Sequence, residues 1–454
     1  MDKELRSRLK KGLSAQAYAQ IVNILIQLAT VPLLITAWGV ELYGAWLILT
    51  AIPVYLAMSD LGFANAAQND MTMAVGRGDR ASELETFQSA WLLVLVVSLV
   101  VMLALGGLVP LAPLSDWFDL APLSDDSAVV LLWLLGLHVL LSIQTNLIYA
   151  GYHCVGAYGQ GQFLLASVRL LEFALLALAV VLGGGPVAAA GAWLAGRVAG
   201  TIGMRLVLRR ANPDVAFGWS HARMATVARL ARPAFAALAF PLGGAMNVQG
   251  IVVVIGALFS PAAVVVFATL RTMTRFGLQL VSALNATVAA EISVAFGASN
   301  TERVRKLHNH ACQLAVWVSA TVAVALVLFG SWLVELWTAG AVQMQWDIFL
   351  AFVAIMLVNG LWLASLMLVY TTNRHARVAV VYVVVNFAAL AGAYVLGQMF
   401  GLTGVAASVL VAEVIVAVYV LRDCLTLLDE PLARFGQTII QPPLPLFRRF
   451  LRAK

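Results

Sequence analysis

The run Asp70-Met71-Thr72-Met73-Ala74-Val75-Gly76 returns 221 residues later as Glu291-Ile292-Ser293-Val294-Ala295-Phe296-Gly297, with all seven positions identical or chemically alike. Each copy follows the second long apolar segment of its half, and each leads into a polar connection, residues 77–83 and 298–304. A repeat placed alike in two halves marks a duplicated architecture.

The composition around the repeat says what kind. Of the 454 residues 62% are hydrophobic and 11% charged, with a mean hydropathy of +0.92; a soluble domain carries about 25% charged residues. Polar side chains are too few to cover one soluble core, and lipid is the solvent that accounts for the excess. A helix needs about 20 apolar residues to cross the hydrocarbon. Twelve segments qualify: 14–38, 42–68, 86–110, 128–150, 160–183, 186–208, 233–257, 262–289, 307–333, 346–371, 377–399 and 403–421. The second and eighth run long, so those helices are expected to project into the cytoplasm. Six spans per half is an even number, so the second half enters from the same side as the first, and the halves relate by an axis along the membrane normal. The sequence predicts an all-α polytopic membrane protein of twelve transmembrane helices in two six-helix lobes. The N-lobe covers 14–211 and the C-lobe 233–422, with a linker at 212–232, a basic N-terminus at 1–13 and a basic tail at 423–454.

Lys and Arg set the orientation. Alternate connections hold Arg77 and Arg80, then Arg209, Arg210, Arg223, Arg229 and Arg232, then Arg303, Arg305 and Lys306, then Arg374 and Arg377. The opposite connections hold only acids, Glu41, Asp116, Asp119, Asp125, Asp126, Glu335 and Asp347. By the positive-inside rule both termini are cytoplasmic. The net charge of +6 is spread over helix ends, which does not describe a nucleic-acid surface. Met1 to Lys11 is charged and no cleavable signal peptide follows it. Cys154, Cys312 and Cys424 lie more than a hundred residues apart, which gives no disulfide framework and no metal spacing. No loop is large enough for a soluble catalytic domain, and G-x-x-x-x-G-K-[ST], H-E-x-x-H, G-x-S-x-G and C-x-x-C are all absent. The chain is therefore read as a non-enzyme without cofactor or metal, whose transport draws on an ion gradient or a downhill substrate. His308-Asn309-His310 falls at the basic interface and is read as surface.

Four arginines lie well inside spans: Arg169, Arg197, Arg271 and Arg275. A charge at the bilayer centre costs at least about 2.5–3.5 kcal/mol. Arg197 is about eleven residues from the outer end of its span, about 16 Å at the helical rise. Arg271 is about nine residues in and Arg275 one turn deeper, which places both near mid-depth. Glu172 and Glu413 are comparably deep, and Asp60 lies nearer the cytoplasmic end of the second span. Arg169 and Glu172, three apart, can pair on one helix face. Arg271 and Arg275 share a face and repel unless water or an anion lies between. Two readings follow: a cationic cavity for an anionic ligand, or arginines held by carbonyls and buried acids. Gln20, Asn23 and Gln27 form a stripe on the first span, and Asn247, Gln249, Gln279, Asn285, Asn359 and Asn386 sit in later ones. Such residues either hydrogen-bond between helices or line a cavity. Glu413, Glu172 and Asp60 are candidates for ion coupling, because a carboxylate in low dielectric readily takes a proton. Pro32 and Pro241, the latter followed by Gly243 and Gly244, bend the first helix of each half.

The stretch Gly39-Val40-Glu41-Leu42-Tyr43-Gly44-Ala45-Trp46 leads to Tyr55-Leu56-Ala57-Met58-Ser59-Asp60-Leu61-Gly62-Phe63, and Phe329-Gly330-Ser331-Trp332-Leu333-Val334-Glu335-Leu336-Trp337 closes the ninth span. This pattern resembles the polysaccharide flippases of O-antigen type in the multidrug/oligosaccharidyl-lipid/polysaccharide exporter superfamily, which commonly show G-x-x-x-Y-G-x-W/Y and then D-L-G. The resemblance implies movement of undecaprenyl-pyrophosphate-linked oligosaccharide from the inner to the outer leaflet of the bacterial inner membrane. It also implies alternating access around a cationic cavity, a proton or sodium counter-ion, and other polysaccharide-assembly proteins as partners. Arg271 and Arg275, with Arg197 and Arg169, are where a diphosphate or acidic sugar would bind, since guanidinium is a planar fork for such oxygens. Lipid II flippases of the superfamily usually carry extra C-terminal spans. Here a tail with Arg448, Arg449 and Arg452 is expected to lie on anionic lipids of the cytoplasmic leaflet. The alternatives are a proton- or sodium-coupled multidrug exporter of the same superfamily, and a membrane glycosyltransferase or O-antigen polymerase. Exporters of cations favour acidic pockets; polymerases generally need a large outward loop, and the outward loops here are short and lack arginine.

Overall fold

A computed structural model describes residues 3–442 except 61, 121–122, 212, 214, 298–299 and 372–374. Side chains at 3–11, 13, 59–60, 76, 115, 153, 211, 232–233, 235–237, 282–287, 289–291, 293–294, 297, 370–371 and 375 are likewise outside the described set. Among the described residues every regular element is helical. Ten helical stretches are long and apolar enough to cross a membrane. Two of them are each divided by one residue of non-helical backbone, Gly39 (φ 76°, ψ 174°) within Lys3–Val54 and Gly401 (φ 64°, ψ −151°) within His375–Leu427. Twelve spans result, as the hydropathy predicts.

The long second and eighth segments are also present. The second continues through a 3-10 turn, Tyr55–Asp60, into the helix Phe63–Gly76, and the eighth is one helix, Pro261–Gly297. The sequence repeat governs how both end. Gly76 and Gly297 close their helices, and the backbone then folds back identically: Asp79 N–H donates to the Ala74 carbonyl and Asn300 N–H to the Ala295 carbonyl, each at 3.0 Å. Asp79 and Asn300 next cap the following helices, Arg80–Leu108 and Thr301–Trp337. Their side-chain oxygens accept from Ser82 N–H and Arg303 N–H, each at 3.0 Å. The Ser82 hydroxyl and amide also hold the Asp79 carboxyl below its ordinary range.

Two glycines of the family-like motifs have steric causes. Gly62 opens the helix Phe63–Gly76 at φ 80°, and a Cβ there would lie 2.3 Å from the Ala234 carbonyl oxygen. A Cβ on Gly44 would lie 2.1 Å from the Pro261 carbonyl oxygen. Neither backbone oxygen can rotate away. Gly44→Ala is expected to lower the thermal midpoint sharply, by an effect of about 1–3 kcal/mol, whereas Gly107→Ala, where a Cβ meets nothing, is expected to leave it unchanged. Thermal unfolding of the two purified variants checks this.

The chain forms two compact units, Met1–Ala245 with Phe259–Ala262, and Met246–Leu258 with Ala263–Lys454. The division falls inside the seventh span. Residues of the 212–232 connection are tied to the first unit. Phe217 packs edge-on to Phe87 at 5.0 Å between ring centroids. Gln88 donates to the Ala216 carbonyl (3.0 Å) and accepts from His221 N–H (2.8 Å). Arg223 N–H donates to Ser89 Oγ at 2.9 Å, and the Thr226 hydroxyl donates to Glu85. Arg229 then grips Asp70 with both terminal nitrogens, while the Thr86 hydroxyl donates to the same carboxylate at 2.7 Å. Burial raises the Asp70 pKa, but Arg229 and Thr86 outweigh it, and the carboxyl titrates below its ordinary range. A depressed carboxyl stabilises the fold above its ordinary pKa, and that stability is lost as pH falls through the folded value. The tether is therefore expected to hold down to about pH 4 and to release below it. Asp70→Asn is expected to release it at neutral pH, read as faster proteolysis within 213–223.

In the second unit the tail performs the matching act. His375–Leu427 runs on past residue 423, the chain turns, and the helix Leu432–Ile440 returns over Thr301–Trp337. Phe435 is buried and stacks on His308 (5.6 Å, 20°). Asn309 donates to Glu430 at 2.8 Å, and Gln313 to the Gln441 carbonyl at 2.7 Å. This corrects the reading of His308-Asn309-His310 as surface: the first two residues are 0% and 8% exposed, and His310 is half-buried. Phe87 and His308 stand one repeat apart, so each unit covers the same position of its third helix with an aromatic ring from beyond its last span.

Candidate functional site

The first unit has a half-open cavity of about 420 Å³ lined by Asn23, Gln27, Trp46, Arg169, Glu172, Trp193 and Arg197, among others. The first span contributes Asn23 and Gln27, the helix Tyr158–Val181 contributes Arg169 and Glu172, and Pro186–Ala211 contributes Trp193 and Arg197. Gln20 is half-buried outside this lining. Glu172 is 3% exposed. Its carboxylate meets Arg197 through Nε (2.5 Å) and Nη2 (2.9 Å), and His138 Nε2 at 2.9 Å. The His138 ring lies on Trp193 with centroids 4.4 Å apart.

The expected pairing of Arg169 with Glu172 is thus replaced. Arg197 is the more deeply buried cation, and an unpaired charge is least tolerable there, so it takes the carboxylate. Arg169 instead donates to the neutral Asn23 Oδ1 at 3.2 Å. The cavity holds two guanidinium groups and one carboxylate, and the carboxylate is already spoken for.

The second unit gathers most of the remaining candidates around a π-helical turn, Met246–Gly250, which follows Pro241 and joins Met224–Ala245 to Ile251–Leu258. A π turn breaks the helical hydrogen-bond register and exposes carbonyls. Arg271 fills that gap. Its guanidinium donates to the Asn247 carbonyl (3.4 Å) and twice to the Val248 carbonyl (3.2 Å each). The Asn247 amide donates to Asn386 Oδ1 (2.9 Å) and Glu413 Oε1 (3.0 Å). Trp362 Nε1 donates to Asn359 Oδ1 (2.6 Å) and Glu413 Oε2 (3.1 Å), and the Asn386 amide to the Tyr382 carbonyl (2.8 Å). Glu413 is 4% exposed and is solvated by neutral donors. Arg271 follows the carbonyl-held alternative of the sequence reading. Arg275, one turn on, is exposed.

Gln249 lies in the π turn and Gln279 is half-buried. Asp60 ends its 3-10 turn, but its side chain, like that of Asn285, lies outside the described residues. His138, Trp193 and Trp362 were not singled out in the sequence. The available signal was His138 itself, an ionisable residue inside the fourth span. Among the described residues no group of three or more His, Cys, Asp or Glu is placed to hold a metal.

No family model and no curated protein matches this sequence. Solved structures match its fold. One is a multidrug resistance MATE family transporter of the MOP superfamily in an inward-facing conformation, 15% identical, TM-score 0.71, covering 89% of this chain and 98% of that one. Another is the MATE multidrug transporter DinF-BH in complex with R6G, 16% identical, TM-score 0.65, covering 93% and 95%. A third is a MOP superfamily transporter from Pyrococcus furiosus whose binding pocket is described as of reverse polarity, suggesting a different function. It is 14% identical, TM-score 0.58, covering 93% and 94%. The chain has the fold of these transporters and is a multi-pass membrane protein.

Proposed function

We propose that the chain is an ion-coupled transporter of anionic amphiphiles, and that its cargo is a polyprenyl-pyrophosphate-linked oligosaccharide moved from the inner to the outer leaflet of a bacterial inner membrane. The observation that supports this is the charge of the first unit's cavity. Glu172 is consumed by Arg197 and His138, and Arg169 faces the same cavity with a neutral partner. Guanidinium donors in a fixed plane suit diphosphate oxygens, and the walls Trp46, Phe173 and Trp193 give an amphiphile apolar contact. Glu172 and Glu413 are the proposed sites of proton or sodium coupling. Both termini are proposed to be cytoplasmic, with the tail on anionic lipid and other polysaccharide-assembly proteins alongside.

A second reading is a coupled multidrug exporter. The likeness to structures described as multidrug transporters favours it, and the comparisons taken alone lie nearer to it. The cavity's excess of cations opposes it for cationic drugs, since a positive site repels them. Cells lacking the gene separate the two. The first reading expects lipid-linked glycan to accumulate on the cytoplasmic leaflet, and the second expects normal surface glycan with raised sensitivity to cationic compounds.

A further inference from the structure

A second cavity of the first unit, about 310 Å³, has a different chemistry. Its polar lining is Asn65, Gln68, Asn146 and Tyr149, and its apolar walls include Leu165 and Pro241; none of its lining residues is charged. Asn65 and Gln68 stand three apart on the helix Phe63–Gly76, and Asn146 and Tyr149 three apart on Asp125–Cys154. Each pair therefore shares a helix face, and the two faces meet across the cavity. Gly62, held at positive φ where the helix begins, is also part of the lining.

The state of the amides distinguishes this cavity. In the second unit Asn247, Asn359 and Asn386 are all hydrogen-bonded to protein groups. Among the described residues the side chains of Asn65, Gln68 and Asn146 have no such partner. An amide offers two donors and an acceptor in one plane; Asn65 and Asn146 are exposed and Gln68 is half-buried, so all three are open to a ligand from the cavity. Three such amides converging on one uncharged space suit a ligand that both donates and accepts at closely spaced positions. Vicinal hydroxyls on a sugar ring do this, and the Tyr149 ring supplies a flat apolar surface for the ring's C–H face. The volume lies at the small end of the range for ligand sites, about 300–1,000 Å³, and suits a single pyranose.

We propose that this cavity is a neutral sugar subsite, in which Asn65, Gln68 and Asn146 hydrogen-bond the hydroxyls of one ring of the transported glycan. The inference rests on the anionic-carrier reading and deepens it by separating two recognition tasks. Arginine takes the diphosphate and the amide cavity takes the sugar. The helix that carries Asn65 and Gln68 also carries Asp70, the anchor of Arg229. The sugar subsite thus lies toward the basic end of the unit, the end from which glycan would enter.

The test uses the purified full chain and two probes, farnesyl diphosphate and farnesyl-diphospho-N-acetylglucosamine, with affinities read by calorimetry. Wild type is expected to bind the sugar-bearing probe about tenfold tighter or more. Asn65→Ala/Asn146→Ala is expected to erase that advantage while leaving farnesyl diphosphate binding unchanged, and Arg169→Ala to weaken both probes together. Asn146→Leu keeps the side-chain volume and is expected to show the same selective loss if the double variant fails to fold. Equal affinity of wild type for the two probes, the result if only water occupies the cavity, overturns the subsite and spares the carrier reading. An undiminished sugar advantage in both amide variants does the same. Binding of neither probe overturns both.

Discussion

Glu172→Leu is expected to be the most destabilising single change in the first unit, at about 3–5 kcal/mol. The carboxylate is the shared acceptor of Arg197 and His138, and its removal leaves the Arg197 guanidinium buried without a counter-charge. Replacing both partners, Glu172→Leu with Arg197→Met, is expected to recover most of the loss, because two apolar side chains of similar volume pack where the ion pair stood. The two effects are therefore strongly non-additive. Thermal unfolding of the singles and the double in one detergent measures this. Equal destabilisation by the double and the single would show that Glu172 acts through something other than its pairing.

Arg169→Ala is expected to do the opposite, with little effect on stability and a large effect on function. The Arg169 partner is the neutral Asn23 at 3.2 Å, so its removal strands no charge, and the change in stability is expected to stay within about 0.5 kcal/mol. A charge-assisted hydrogen bond to phosphate contributes about 1.5–3 kcal/mol, so affinity for a polyprenyl diphosphate is expected to fall by about tenfold to a hundredfold. Arg169→Lys is expected to restore only part of it, since an ammonium cannot present two parallel donors. Titration of farnesyl diphosphate into the three proteins checks the order wild type, Lys, Ala.

These two residues also show what the sequence could and could not tell. Both stood out because an ionisable group in a membrane span has few places to go. That argument found Arg271 and Glu413, and polarity inside a span found Asn247, Asn359 and Asn386, which meet them in the second unit. It could not choose partners. Arg169 and Glu172 are neighbours by helical spacing, but the pairing is decided by Arg197 and His138 arriving from other helices. Spans and repeat were legible because hydropathy and capping are local, and Asp79 and Asn300 do the same work one repeat apart. The π turn at Met246–Gly250 was not legible, since Pro241 marks a bend without saying which register follows. Nor was the return of Leu432–Ile440 over His308, a contact between distant segments. Asn65 and Gln68 sit where a span gives way to a polar connection, and their spacing alone does not set them apart. Only the space they share with Asn146 reveals them.

The sign of the cavity's charge is the central claim, and flux measures it most directly. The protein, reconstituted in liposomes under an imposed proton or sodium gradient, is offered a fluorescent polyprenyl-diphosphate sugar and, separately, a lipophilic fluorescent cation. Transfer of the anionic lipid between leaflets, lost in Arg169→Ala, with no gradient-driven uptake of the cation, is the result the account predicts. Gradient-driven movement of the cation with the anionic lipid left in place would contradict it.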